Sequence, residues 1–137
     1  MSQFTEPLRA EQLAGKFWKI LRGFEYHVGA YPSDEVICVP TGFITDFQSI
    51  PPLLWSIFGH PIDDYAQSGA GHDWLYKHPD DGLNRRRTRK ECDLIFLEMN
   101  EVLGCPMLKR KLKYIGVRMF GWLGWRKYRK LNSKKGV

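Results

Sequence analysis

The chain has 137 residues, of which 43% are hydrophobic, enough for one domain with its own core and too few for two comfortable ones. The net charge is +6, divided as −5 over residues 1–108 and +11 over residues 109–137, where no acid occurs. No run of about 18 uncharged apolar residues is present and the N-terminus lacks the order of a signal peptide, so the expectation is a soluble chain that begins life in a cytoplasm. Three cysteines, Cys38, Cys92 and Cys105, form no C-x-x-C pair, which argues against a disulfide framework or a structural zinc site and for small buried apolar side chains.

From Trp18 to Val28 every second residue is Trp18, Ile20, Arg22, Phe24, Tyr26 and Val28. That period of two predicts extended chain with one buried face, broken near Gly23. A turn at residues 31–34 and a β-rich run at Val36–Val39, closed by Pro40, complete a small antiparallel sheet. Residues 41–55 read as an ordered loop leading into a short helix at Leu53–Phe58, because Pro51 and Pro52 stop a longer helix. Asp46 and Ser49 in that loop fit either a self-capped turn or a contribution from Asp46 to a metal site or pocket wall.

Residues 63–76 are predicted helical, with Tyr65, Ser68, His72 and Tyr76 on one face and Asp63 or Asp64 as cap. The small residues Ala66, Gly69, Ala70 and Gly71 point to another backbone close by. Residues 78–87 form a turn-rich polar loop. Thr88 and Glu91 then make a capping box for an amphipathic helix through Leu103, which Gly104 can stop. From Pro106 a basic helix follows, with an apolar stripe at Leu108, Leu112, Ile115, Met119 and Leu123 that is expected to be buried on the domain. Gly116, Gly121 and Gly124 are expected to interrupt this helix. The domain is placed at residues 1–131, with residues 132–137 as a disordered basic tail. The fold class is α+β: a small N-terminal antiparallel β-sheet packed on three to four α-helices.

His72 and Asp73 precede Asp93 by about twenty residues, the distance that two short antiparallel helices and their loop require. Asp93 can then hold one imidazole nitrogen of His72 and leave the other to take a proton from water. Asp73 points about 100° away on a helix and can offer oxygens to a hard cation such as calcium. Together these parts describe a His/Asp hydrolase without a covalent nucleophile, which is the expected function; the alternative is a hydrogen-bonded pair that joins two helices and catalyses nothing. Around the C-terminal helix, Lys109, Arg110, Lys113, Arg118, Trp122, Trp125, Arg126 and Lys127 form a basic, tryptophan-rich region. Its candidate partners are an anionic membrane surface, an acidic partner protein, or nucleic acid bound without sequence preference.

The order GFITDFQSIP, GHDWLY, ECDLIFLEM and YIGVRMFG, spanning roughly residues 18–125, resembles a family of unknown function common in tailed bacteriophages and prophages. That resemblance implies a phage or prophage origin, synthesis in the host cytoplasm, and association with the virion as one outcome. A local resemblance is to the phospholipase A₂ active-site helix with its H-D-x-x-Y motif. It implies His72 as general base, Asp93 as orienting acid, Tyr76 as supporting hydroxyl and Asp73 as calcium ligand. The glycine-rich calcium loop of phospholipases is not recognisable upstream, where only Thr41, Gly42 and the Asp46 loop are available.

Overall fold

The structure, a computed structural model, describes residues 3–47, 52–58 and 63–134. Five short strands come first: β1 (Ala10–Gln12), β2 (Trp18–Ile20), β3 (Phe24–His27), β4 (Val36–Val39) and β5 (Ile44–Thr45). A 3₁₀ turn at Pro52–Leu54 leads into α1 (Trp55–Phe58), followed by α2 (Ala66–Lys77), α3 (Arg89–Val102) and α4 (Met107–Lys134). This is the α+β arrangement expected, with antiparallel strands packed against four helices.

The alternating run of residues 18–28 divides between two sheets. β2 sits between β1 and β5, while β3 pairs with β4 in the register Phe24 to Val39 and Tyr26 to Ile37. Gly23 is the divider, since a Cβ there would lie 2.8 Å from the Val39 carbonyl oxygen and 2.9 Å from the Thr41 nitrogen. Only glycine lets the chain cross that closely. Ile20, Phe24, Tyr26, Ile37 and Val39 point inward and are buried, as the period of two requires. β1 and β5 carry too few alternating residues to be read from the sequence. Cys92 and Cys105 are buried as expected, and burial pushes the Cys92 thiol up to about 12. Cys38 departs from expectation: it is exposed, on the outward side of β4.

The helix expected over residues 63–76 begins later, at Ala66. Asp63 spends one oxygen on the Tyr65 N–H at 2.9 Å and turns the other toward Lys113, and the Tyr65 side chain makes no cap. The neighbour that its small residues admit at Gly71 is the Met99 side chain, not another backbone. The capping box of α3 is formed as predicted, with Thr88 and Glu91 bonding each other's backbone N–H. Within the polar loop between α2 and α3, Arg87 is fully buried: it grips Glu35 at 2.7 Å and the carbonyls of Pro79 and Asp81.

α4 differs most from its sequence reading. It runs uninterrupted through its glycines for 28 residues and continues past residue 131, held there by Asn132, whose side chain donates to the Lys77 carbonyl at 3.2 Å. The face it buries is also the opposite one. Leu108 is 73% exposed and Leu123 59%, with Ile115 and Met119 also exposed, whereas Lys113, Gly116 and Val117 face inward. One of the glycines, Gly121, serves this packing. A Cβ at Gly121 would stand 2.5 Å from the Tyr76 hydroxyl, so α2 and α4 approach through it. Among the described residues no helix is long and apolar enough to cross a membrane.

Candidate functional site

His72 and Asp93 do meet. The His72 Nε2 lies 2.7 Å from Asp93 Oδ1, and the Tyr76 hydroxyl donates to the same oxygen at 2.6 Å. The spacing of four on α2 puts both donors on one face, and the capped start of α3 presents Asp93 to them. The other carboxylate oxygen accepts from Arg118 Nη1 of α4 at 2.8 Å and from Arg89 Nη1 at 3.3 Å. Arg89 also donates to the Val117 and Arg118 carbonyls, so it fastens α3 to the α4 backbone. His72 stacks against Tyr76 and Phe96, with ring centroids 4.2 and 4.7 Å away. Asp93 is wholly buried, and His72 and Tyr76 nearly so.

Burial alone would raise the Asp93 carboxyl. The hydrogen bond and charge of His72, followed by the bonds from Tyr76 and Arg118, outweigh it and hold the group below its ordinary value. An ionised carboxylate can only accept, so His72 Nε2 carries the proton in this pair. The Tyr76 hydroxyl is pushed well above its ordinary value, first by burial and then by the Asp93 charge, so it remains a donor.

Asp73 points elsewhere, as the helical geometry predicts. Its Oδ2 accepts from the Thr45 hydroxyl at 2.8 Å, its Oδ1 from the Tyr128 hydroxyl at 3.3 Å, and the Lys77 ammonium stands 3.7 Å from Oδ2. Thr45 in turn accepts the N–H of Phe47, whose backbone is left-handed (φ 64°) and whose ring is buried. Asp46 and Asp73 line one cleft of about 250 Å³ together with Lys16, Lys77 and Lys127. Burial raises the Asp73 carboxyl; Lys77 opposes the shift and Asp46 adds to it. Lys77 supplies a positive charge beside Asp73. Among the described residues no group of three or more His, Cys, Asp or Glu side chains is placed to hold a metal ion. Asp46 pairs with Lys16 at 3.5 Å, and Ser49, its expected capping partner, lies outside the described residues.

The basic region sorts into different roles. Lys113 does not reach any surface: it is fully buried, with Nζ 2.7 Å from Asp63 Oδ2 in an ion pair not aligned as a hydrogen bond. Arg118 is likewise turned inward, onto Asp93. Lys109 pairs with Asp63 at 3.6 Å, and Arg110 donates to the Cys105 carbonyl. Trp125 is half-buried, edge-on to Tyr76. Trp122, Arg126 and Lys127 remain exposed, with Arg126 over the Trp122 ring. Sequence reasoning missed Arg87, Arg89 and Arg129. Nothing in the run Arg85–Arg87 marks which arginine becomes buried.

Fold and centre together describe an α+β domain whose helices are tied through one buried carboxylate. A family model described as a protein of unknown function, DUF1353, matches residues 7–117. The chain belongs to that family, in keeping with the resemblance of its motifs to a phage-associated family of unknown function. No curated protein and no solved structure matches it.

Proposed function

We propose that this protein is a non-catalytic phage component, of the virion or of its assembly, in which the HD motif is structural and the basic C-terminal region contacts an acidic partner or DNA. One observation carries the reading: the buried Asp93 carboxylate takes donors from His72 and Tyr76 of α2, Arg89 of α3 and Arg118 of α4. A catalytic orienting acid needs its charge to raise the basicity of one imidazole. Here two guanidinium groups share that charge and reduce what it lends to His72. The same four bonds are what a joint between three helices requires. Purified particles and assembly intermediates are the place to look: the protein is expected to accompany one of them, and its absence from both, with particles forming normally without it, would overturn the reading.

A second reading, a phospholipase A₂-like esterase, draws support from the 2.7 Å contact of His72 with Asp93. It requires ester release from mixed anionic vesicles that depends on calcium and disappears in His72→Ala. The structural reading expects no release from the wild-type protein.

A further inference from the structure

Near the C-terminal end of α4 one half-buried cation has a donor that is not satisfied. Arg129 donates through Nη2 to the Tyr76 carbonyl and lays its guanidinium on the Trp125 ring at 4.4 Å, while its Nη1 is buried without an acceptor. It borders a cleft of about 820 Å³ between the loop after α2 and the last turns of α4, lined also by Lys77, Asn84, Arg86 and Asn132. Arg86 is exposed and makes no ion pair among the described residues, whereas its neighbour Arg85 is neutralised by Glu91 at 2.6 Å. Asp80 is the one carboxylate lining the cleft among the described residues. Burial first, and then the like charge of Arg86, lower the Arg129 guanidinium from its ordinary value.

Two guanidinium groups that repel each other across a cleft, Arg86 exposed and Arg129 half-buried, fit an oxyanion with several lone pairs between them. Phosphate has that shape and charge. On its other side Arg129 borders a second cleft, formed with Trp122, Trp125, Arg126, Lys127 and Lys130. Trp122 and Arg129 are seven residues apart, about 10 Å along the helix. Cations that follow a backbone, beside an exposed aromatic ring, are the surface that single strands use.

We propose that the Arg86–Arg129 cleft is a phosphate site that seats the backbone of a single nucleic-acid strand, which continues past Arg129 toward Trp122. The proposal deepens the DNA-contact part of the function proposed above and rests on that part of it, not on the role of His72. The test is fluorescence anisotropy with a labelled oligothymidylate of about 20 nucleotides, with inorganic phosphate and phosphatidylglycerol vesicles as competitors. Arg86→Gln should weaken strand binding on the order of tenfold and make the salt slope shallower by about 0.7 for each phosphate that the protein no longer neutralises. Lys19→Gln, which removes the same charge from exposed β2, should change binding less than about twofold. Thermal unfolding of each variant checks that the fold is kept. Equal effects of the two variants, or no strand binding by the wild-type protein, would overturn the proposal. So would vesicles that displace the strand through an Arg86-dependent contact, or binding of inorganic phosphate alone. Ester release that disappears in His72→Ala would instead overturn the non-catalytic reading and leave strand binding to be judged separately.

Discussion

Asp93, wholly buried, and Arg129, half-buried, are charged groups attached to the same long helix, one held by α4 and the other carried on it, yet their surroundings are opposite. Asp93 accepts from four side chains on three helices, and its charge is met wherever it points. Arg129 shares its cleft with a second guanidinium, and its Nη1 meets no acceptor among the described residues. A buried ion that is fully bonded joins elements together; a half-buried one that shares an open cleft with a second, exposed cation is placed for an anion that arrives from outside. The difference separates the part of the molecule that makes the fold from the part available to a ligand.

Breaking the bonded side should have the largest effect. Asp93→Ala leaves Arg118, Arg89 and His72 facing each other without their acceptor, and denaturant unfolding should show a loss of about 3–5 kcal/mol. Two of the three glycines of α4 sharpen the comparison. Gly121→Ala places a methyl group against the Tyr76 hydroxyl that serves Asp93, and should cost about 1–3 kcal/mol by the same measurement. Gly124→Ala, whose Cβ would meet only Tyr128 at 4.0 Å, should be neutral or stabilise by up to about 1 kcal/mol through helix propensity.

Acid titration of stability separates the two aspartates of α2 and α3. The Asp93 carboxyl is depressed in the folded state, so its contribution is present above the ordinary carboxylate value and is lost as pH falls through the depressed one. Asp73 is raised, so its contribution is present below the ordinary value and is lost as pH rises through the raised one. Asp93→Asn should therefore flatten the acid limb of the stability profile, and Asp73→Asn the limb above it. The smallest stability effect belongs to the cleft: Arg86→Gln should change unfolding free energy by no more than about 0.5 kcal/mol, since Arg86 is exposed and makes no ion pair among the described residues.

Much of this architecture was legible because it is local. The capping box at Thr88 and Glu91, the alternation that buries Phe24 and Tyr26, and the four-residue spacing of His72 and Tyr76 all depend on neighbours within a few positions. The meeting of His72 with Asp93 was legible as a distance along the chain that a helical hairpin closes. The roles of Arg118 and Lys113 were not, because the buried face of α4 is set by Tyr76, Asp93 and Asp63, all distant in sequence. Leu108, Ile115, Met119 and Leu123 make a regular stripe, yet the helix turns Lys113, Gly116 and Val117 inward instead. Close approach and charge pairing override the apolar periodicity there. Arg85, Arg86 and Arg87 make the same point over three positions: one pairs with Glu91, one stands in the cleft and one is buried on Glu35.

The most direct test of the structural role of the HD motif is a double-mutant cycle of His72→Ala and Asp93→Ala, followed by denaturant unfolding and run beside an ester-release assay on anionic vesicles with and without calcium. The account predicts a coupling energy of roughly 1–3 kcal/mol between the two positions and no ester release from the wild-type protein. Uncoupled substitutions of little effect on stability, with calcium-dependent release that His72→Ala abolishes, would contradict it.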